Sequence, residues 1–410
     1  MGELLYLGEK TKYPIENNMG INSHTCVFGN SGSGKSHSIV KPNIFSFSEA
    51  GSSMIISDPK GALEKEFKDY LENKGYKIYS TNLVNPEQSS CGFNPLDYVC
   101  SEIDFIKLAH RIIYSDQLSR TSRNQDPYWN HMAEILLSLL LEMVVMVENE
   151  ATFDKVIYYA SRITADGTGK TNIIMNQISK KRSDCLAAKQ WLKIKTLLNT
   201  EKTFSCVVSS VQEHLGRYES MEMTEFFHKK QILDFESFGE RPSVLFLKIS
   251  DTDDTYYDFA NIIYAQAIDS LSTYADGRAS GKTRIPVRFI LDDFSTNVFI
   301  ESMPKVISVA RARNISFMLI CQSVQQLKAA YADDAHTIIS NTDNIVFLST
   351  NDVETAKEFS TRLDLPVFDI LYKKRERIYI FRSGEHPIED NRYDYRKHPS
   401  YKELQMMKIR

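Results

Sequence analysis

The sequence has few cysteines, and those it has are scattered. Its six cysteines, among 410 residues, include no CxxC pair. This spacing argues against a disulfide framework and against a zinc site, and it is typical of a protein from a reducing compartment. The nine histidines show no metal-ligand spacing either. A secreted disulfide scaffold and a resident zinc centre are therefore excluded as interpretations.

Long hydrophobic runs are also missing. The most apolar stretch covers residues 135–147, and it contains Glu142. It is shorter than the roughly 20 apolar residues that cross a bilayer. Residues 1–12 carry charge and have no apolar core long enough for a signal peptide. The sequence therefore predicts a soluble chain in which residues 135–147 form a buried helix.

The chain has no excess of positive charge. Its 49 basic and 53 acidic residues give a net charge of -4. This balance argues against a simple basic nucleic-acid binder, although a channel can still concentrate basic side chains on one face. A length of 410 residues is enough for two domains.

The order of predicted elements indicates an α/β fold with a helical insertion. Strands at residues 24–29, 53–57 and 76–80 alternate with helices, which is typical of a parallel sheet. Residues 102–235 instead show mostly helical periodicity. Strands return at residues 244–249, 287–291, 315–321 and 344–348, with a hairpin near 377–382. We therefore predict a nucleotide-binding domain formed by residues 1–101 and 236–410, with an all-helical domain, 102–235, inserted into it.

A phosphate-binding loop follows the first of these strands. The sequence GNSGSGKS at residues 29–36 places the loop between a strand and a helix, as this motif requires. The glycines let backbone N–H groups point at phosphate oxygens, Lys35 neutralises the β and γ phosphates, and Ser36 ligates magnesium. The alternative is a chance glycine-rich turn. The predicted nucleotide-binding residues are Gly29, Asn30, Ser31, Gly32, Ser33, Gly34, Lys35, Ser36 and His37.

Two aspartates end the strand at residues 287–291. We expect Asp292 to hold magnesium and Asp293 to act as the general base on the attacking water. The alternative is a solvated acidic strand end. Glutamate is more usual at the second position, so the shorter Asp293 predicts slow hydrolysis.

Further catalytic candidates lie around the next strand. Gln322 ends that strand, where it could sense the γ phosphate or position the water, or could be an ordinary polar terminus. Arg311 and Arg313 precede the strand. Either could reach a neighbouring subunit's phosphate as an arginine finger, or could be a surface residue. The predicted catalytic set is Lys35, Asp293, Gln322 and Arg313.

Basic residues concentrate in the predicted helical domain, at residues 179–202. With Trp191 among them, they could contact a DNA backbone and base, or an acidic protein partner. The alternative is a solvated helix face. Tyr128 and Trp129 are expected to be core residues.

Taken together, the ordered motifs resemble those of the type IV secretion coupling proteins, the TraG/TraD-like conjugative ATPases related to the FtsK and HerA motors. The matching segments are GNSGSGKS (29–36), SDPKGAL (57–63), GFNPLDYV (92–99), DPYWNHMAEILL (126–137), LDDFSTN (291–297), ARARNISFMLICQSVQQL (310–327), residues 340–363 and residues 384–402. The phosphate loop is common to many families, but the ordered set is much more specific.

The resemblance implies a RecA-like motor domain with an inserted all-α domain, using ATP and Mg²⁺ in a homo-hexameric ring. It implies relaxase-bound single-stranded DNA, accessory proteins and the secretion channel as partners, on the cytoplasmic side of the bacterial plasma membrane. Members of this family usually carry membrane-spanning helices before the motor. The chain shows none, so we expect either the soluble part of such a protein, monomeric as a fragment, or a soluble relative.

The sequence is also compatible with two other functions. One is a recruitment platform in which nucleotide controls ring assembly with little turnover. The other is a DNA translocase of the FtsK/HerA kind, which the FNPL segment before a helical insertion argues against.

Overall fold

The computed structural model describes residues 2–16, 20–114, 127–250 and 252–408. Asp126, the first residue of one of the motifs above, lies outside this set. The chain forms two compact units. The first contains residues up to 84, 234–254 and 267–410, and the second contains residues 85–233 and 255–266.

A nine-stranded sheet forms the centre of the first unit. Its order across the described residues is β11-β10-β9-β3-β8-β7-β4-β6-β5, and β3 to β9 are all parallel to one another. The strands are β3 Thr25–Gly29, β4 Ser53–Ser57, β5 Lys77–Asn82, β6 Ser243–Lys248, β7 Val287–Leu291, β8 Ile315–Cys321, β9 Asn344–Ser349, β10 Arg377–Arg382 and β11 Ile388–Asn391. β10 pairs antiparallel with both β9 and β11, as the predicted late hairpin requires.

The inner strands are buried on both faces, which explains their continuous apolar sequences. All residues of β3, β4, β7 and β8 are buried. Parallel strands covered by helices on both sides read as unbroken apolar runs because neither face meets water. This is why strands β7 and β8 have the limits predicted from the sequence.

A small antiparallel hairpin, β1 Leu4–Tyr6 and β2 Lys12–Pro14, stands apart from the central sheet. The helices of the first unit are Lys41–Glu49, Ala62–Asn73, Phe235–Glu240, Met303–Val309, Val324–Tyr331, Asp334–Ser340, Val353–Leu363, Val367–Leu371 and Tyr401–Lys408. A π-helical turn, Ser36–Val40, precedes the first of them.

The second unit is helical. Its helices are Glu102–Ile113, Pro127–Val147, Phe153–Ala160, Lys170–Lys181, Leu186–Lys195, Glu201–Gly216 and Met221–Phe227, and the helix Tyr257–Asp276 is divided between the units. Among the described residues, one helix, Tyr128–Val147, is long and apolar enough to cross a membrane, and 72% of its most apolar window is buried within the protein. Its Glu142 accepts a hydrogen bond from the backbone N–H of Ala187, so the polar group inside this helix is satisfied.

The limits of the two units differ from the domain limits expected from the sequence. Residues 85–101 group with the helical unit, where the Gly92 N–H donates to the Gln231 carbonyl at 2.7 Å and the Tyr98 hydroxyl donates to the Leu233 carbonyl at 2.6 Å. Residues 255–266 join it too, because the buried Phe259 packs against the rings of Phe153, Tyr218, Phe226 and Phe227. These contacts are between segments far apart in the chain, so periodicity does not reveal them. The limits 102–235 remain a prediction for the domain.

Candidate nucleotide-binding site

The loop after β3 has the backbone shape that a phosphate-binding loop needs. Gly32 and Gly34 have φ values of +71° and +86°, a region that side chains disfavour. The Ser33 N–H donates to the Asn30 carbonyl at 3.1 Å, which closes the turn. Asn30 is held in place by β9, because the Ser349 hydroxyl donates to its Oδ1 at 2.5 Å. The start of the loop is therefore fixed to β9.

Lys35 is folded back into this loop. Its side chain is 8% exposed, and Nζ donates to the carbonyl oxygens of Gly29 at 2.5 Å and Asn30 at 3.3 Å. Burial lowers the pKa of Lys35, while the nearby carboxylates of Asp292 and Asp293 oppose that shift. An anionic group bound in the loop would stabilise the charged ammonium, which is the condition a phosphate satisfies.

Asp292, at the end of β7, meets the first residue of the helix after the loop. The Ser36 hydroxyl donates to Asp292 Oδ2 at 3.2 Å, and the Asp293 N–H donates to Asp292 Oδ1 at 3.1 Å. Burial and the adjacent carboxylate of Asp293 raise the pKa of Asp292 to about 6. A hydroxyl and a buried carboxylate are hard oxygen ligands, and a cation between them would favour the ionised form. These two residues therefore fit Mg²⁺ chemically, and their role as its ligands stays a prediction.

Asp293 and Gln322 lie together beside this pair. Gln322 Nε2 donates to Asp293 Oδ1 at 3.3 Å across the ends of β7 and β8. Asp293 has a φ of +52°, so the chain leaves the strand sharply after Asp292 and the two carboxylates point differently. Both residues line a cleft of about 450 Å³. This is the arrangement expected of a general base and its orienting partner.

The cleft brings most of the predicted residues together. Its lining includes Ser31, Gly32, Ser33, Gly34, Lys35, Ser36, His37, Asp292, Asp293 and Gln322. Gly29 and Asn30 do not line it, because they lie behind the loop and supply the carbonyl groups that hold Lys35. His37 is fixed at the cleft wall, where Nε2 lies 3.0 Å from Asp394 Oδ1 and the ring packs edge-on against Tyr395.

Arg313 is not brought to this cleft. It ends a short 3₁₀ turn before β8, and its guanidinium makes two hydrogen bonds of 2.8 Å to the carboxylate of Asp276. A role within the same subunit's cleft is therefore not supported by the geometry. Its predicted role as a finger toward another subunit remains a prediction, and it requires the ion pair with Asp276 to open.

In the basic segment at residues 179–202, the aromatic side chain and the cations lie in different environments. Trp191 is fully buried, with Nε1 donating to Asn176 Oδ1 at 3.1 Å, so it is a core residue, and the structure does not support the alternative in which it contacts a base. The cations around it are exposed: Lys180, Lys181, Arg182, Lys189, Lys193, Lys195 and Lys202. Tyr128, expected in the core, has 45% of its surface exposed.

Sequence reasoning missed one wall of the cleft. Asp58, Pro59, Lys60, Ala62 and Leu63 line it, together with Lys41. The sequence does contain an indication of this wall, because the segment SDPKG begins at the end of β4, a buried strand that is parallel to β7. The ends of parallel strands meet at one edge of a sheet, where such folds bind their ligands.

Comparison with known proteins assigns the chain to a family. The model described as type IV secretory system conjugative DNA transfer matches residues 3–364. The chain belongs to this family. It is thus a protein of conjugative DNA transfer by type IV secretion, and the resemblance drawn from the motifs is confirmed. No curated protein matches the sequence.

Solved structures confirm the fold. The bacterial conjugative coupling protein TrwBdeltaN70, in complex with sulphate, is similar with a TM-score of 0.68 at 14% identity, over 90% of this chain and 85% of that one. The plasmid coupling protein TrwB in complex with ADP and Mg²⁺ has a TM-score of 0.66 at 14% identity, over 91% and 85%. VirB4 of Thermoanaerobacter pseudethanolicus has a TM-score of 0.61 at 14% identity, over 98% and 99%. The conjugative DNA transfer protein described here thus has the predicted fold, a RecA-like P-loop domain with a mainly parallel sheet and an inserted all-α domain.

Proposed function

We propose that this family member hydrolyses ATP with Mg²⁺ to drive the transfer of relaxase-bound single-stranded DNA to a secretion channel. The observation that carries the proposal is the meeting of Ser36, Asp292, Asp293 and Gln322 in the cleft beside the phosphate loop. Accessory proteins, a homo-hexameric ring and a position on the cytoplasmic side of the bacterial plasma membrane belong to the same proposal. They are supported by family membership.

Each group in the cleft has a separate proposed role in ATP hydrolysis. The loop amides and Lys35 hold the phosphates, while Ser36 and Asp292 hold Mg²⁺, which supplies charge neutralisation at the phosphates when bound. Asp293 accepts a proton from the attacking water, and Gln322 orients both. The water oxygen bonds to the γ phosphorus as the bond to the bridging oxygen breaks, giving ADP and phosphate. Asp293 is shorter than glutamate, so we expect slow turnover.

The exposed cations of the helical unit are proposed to contact the DNA backbone. Lys189 and Lys193 are four residues apart on the helix Leu186–Lys195 and are both exposed, so they lie on one face. Phosphate contacts by such lysines carry no sequence preference, which suits a protein that must pass any sequence.

The test is steady-state ATP hydrolysis, with and without single-stranded DNA, at protein concentrations that span ring assembly. We expect DNA-stimulated turnover that is lost in Asp293→Ala and retained in the control Asp69→Ala, which changes an exposed aspartate outside the cleft. A Lys189→Glu, Lys193→Glu variant should keep basal turnover and lose the stimulation. Unchanged stimulation would remove the proposed DNA surface. Nucleotide binding without turnover under all conditions would favour a recruitment platform.

A further inference from the structure

Three lysines line the nucleotide cleft, and they differ in what they already bind. Lys35 donates to two loop carbonyl groups. Lys41 is neutralised by Glu66, with Nζ 2.5 Å from Oε2, and it also lies over the ring of Tyr395. Lys60 is exposed, and within the described residues it has no hydrogen-bond or ion-pair partner. Lys60 is therefore the cleft cation whose charge is free to meet a ligand.

The backbone that carries Lys60 is rigid. Asp58 is 3% exposed, and its carboxylate accepts hydrogen bonds from the N–H groups of Ala62 at 3.0 Å and Glu64 at 2.8 Å. The Gly61 N–H donates to the Asp58 carbonyl at 2.9 Å, and Gly61 has a φ of +63°. The turn is thus closed from both sides, and Lys60 projects from a fixed base.

The hydrogen bonds to the Asp58 carboxylate also determine which group on this wall is available to bind an anion. The free amides at a helix N-terminus often bind phosphate. Here the first amides of the helix Ala62–Asn73 are taken up by Asp58. The side chain of Lys60 therefore supplies the positive charge at this wall.

The sheet order places this wall beyond the catalytic aspartates. Passing from the phosphate loop, the order is β3, β8, β7 and β4, so three inter-strand steps of about 4.8 Å separate the loop from the Lys60 turn. Gln322 and the two aspartates lie at the ends of the strands in between. The Ser57 hydroxyl, donating to the Asp292 carbonyl at 3.2 Å, joins the two walls directly. Lys60 therefore lines the cleft on the side of the two aspartates that is away from the phosphate loop.

We propose that Lys60 binds the terminal phosphate of a nucleoside triphosphate from the wall opposite the phosphate loop, so that the cleft distinguishes triphosphate from diphosphate. This inference rests on the proposed function for the identity of the ligand. Lys60 would contact the transferred group within its own subunit and stabilise the charge on its oxygens during cleavage. Lys35 would then hold the β and γ phosphates from one side and Lys60 the γ phosphate from the other.

The experiment compares the binding of ADP and of a non-hydrolysable ATP analogue, each with Mg²⁺, in Lys60→Ala, Lys60→Arg and the control Lys65→Ala. Lys65 is exposed on the adjoining helix and does not line the cleft. A lost charge-assisted contact should weaken analogue binding about tenfold in Lys60→Ala, with ADP binding within about twofold of wild type. Lys60→Arg should keep most of the discrimination, and Lys65→Ala all of it.

Equal losses for both nucleotides, or no loss for either, would overturn the assignment. Hydrolysis by the wild type is measured alongside, because it separates this inference from the proposed function. Wild-type turnover with unchanged nucleotide discrimination in Lys60→Ala refutes the role of Lys60 alone. Triphosphate discrimination that depends on Lys60, without any turnover in the wild type, refutes the motor and leaves the Lys60 contact standing.

Discussion

At the scale of single residues, the burial of Asp292 makes the stability of the fold depend on pH. Burial and the neighbouring Asp293 raise its pKa from 3.8 to about 6, so the folded protein holds this proton more tightly than the unfolded chain does. The stabilisation is fully present below the unfolded pKa and is lost as the pH rises through the folded pKa. Without nucleotide, this residue therefore makes the fold less stable at pH 8 than at pH 5. The proposed binding of Mg²⁺ by Asp292 would require the carboxylate, so we expect it to weaken as the pH falls below about 6.

Asp292→Asn should remove this pH dependence. We expect the free energy of unfolding of the wild type to fall by about 1 kcal/mol more than that of the variant between pH 5 and pH 8, without nucleotide. Urea unfolding at several pH values measures the difference, with Asp69→Asn as the control at an exposed position. Parallel pH curves for wild type and Asp292→Asn would contradict the prediction. The variant should also lose ATP hydrolysis at every pH.

The residues that could be predicted from the sequence are those whose roles are set locally. The loop residues, Asp292, Asp293 and Gln322 follow buried strands of the same parallel sheet, so their meeting at one edge follows from the topology. Trp191 and Arg313 could not be placed in this way. Burial of Trp191 depends on Asn176 and on the packing of several helices, and the Asp276 partner of Arg313 comes from another helix.

At the scale of elements, a buried ion pair is one of the contacts that fix the hairpin β1–β2 to the central sheet. Arg288, on β7, donates through Nη2 to Glu3 Oε2 at 2.6 Å and through Nε to Glu3 Oε1 at 3.0 Å. The two side chains are 4% and 8% exposed. The Ser52 hydroxyl also donates to Glu3, at 2.8 Å. This bidentate pair joins residues 285 positions apart, so the chain before β1 is fixed to the centre of the sheet.

Glu3→Ala should destabilise the first unit by about 3–5 kcal/mol, because it leaves the Arg288 guanidinium buried and unpaired. Thermal or urea unfolding measures the effect, and Glu16→Ala, at an exposed glutamate, is the control. The double change Glu3→Leu, Arg288→Met should cost less than Glu3→Ala alone, since it removes both charges. An effect of Glu3→Ala no larger than that of Glu16→Ala would show that the pair contributes little.

The positions of helices and strands could be predicted where the hydrophobic pattern extends over enough residues. The strands β3 to β9 have limits within two residues of those expected from the sequence. The hairpin β1–β2 was not predicted, because its three-residue strands are too short to show alternation and its anchor is distant in sequence. Within the predicted helical domain, the seven-residue helix Met221–Phe227 is too short for its own limits to be seen in the periodicity.

At the scale of the whole molecule, the position of Arg313 bears on assembly. Its bidentate pair with Asp276 lies away from its own cleft, so its charge cannot act on the phosphates held there. If a ring places this surface against a neighbour's cleft, the exchange of Asp276 for a phosphate partner would make hydrolysis dependent on assembly. The planar guanidinium can make two parallel hydrogen bonds to a carboxylate or to a phosphate, so it can bind either Asp276 or a neighbour's nucleotide.

Mixing two variants that are each expected to be inactive tests whether Arg313 acts on the cleft of a neighbouring subunit. Lys35→Ala lacks a working phosphate loop but keeps Arg313, whereas Arg313→Ala keeps the loop and lacks the finger. If the finger acts between subunits, an equimolar mixture assembled at random should recover about a quarter of wild-type turnover, since a quarter of the interfaces pair an intact loop with an intact arginine. Arg311→Ala, mixed in the same way with Lys35→Ala, is the control for the neighbouring arginine. Arg313→Ala that is inactive and is not rescued by the mixture would place its effect within one subunit, where its side chain contacts Asp276 and the Val309 carbonyl. Full activity of Arg313→Ala alone would instead exclude it as the finger and move the search to Arg311.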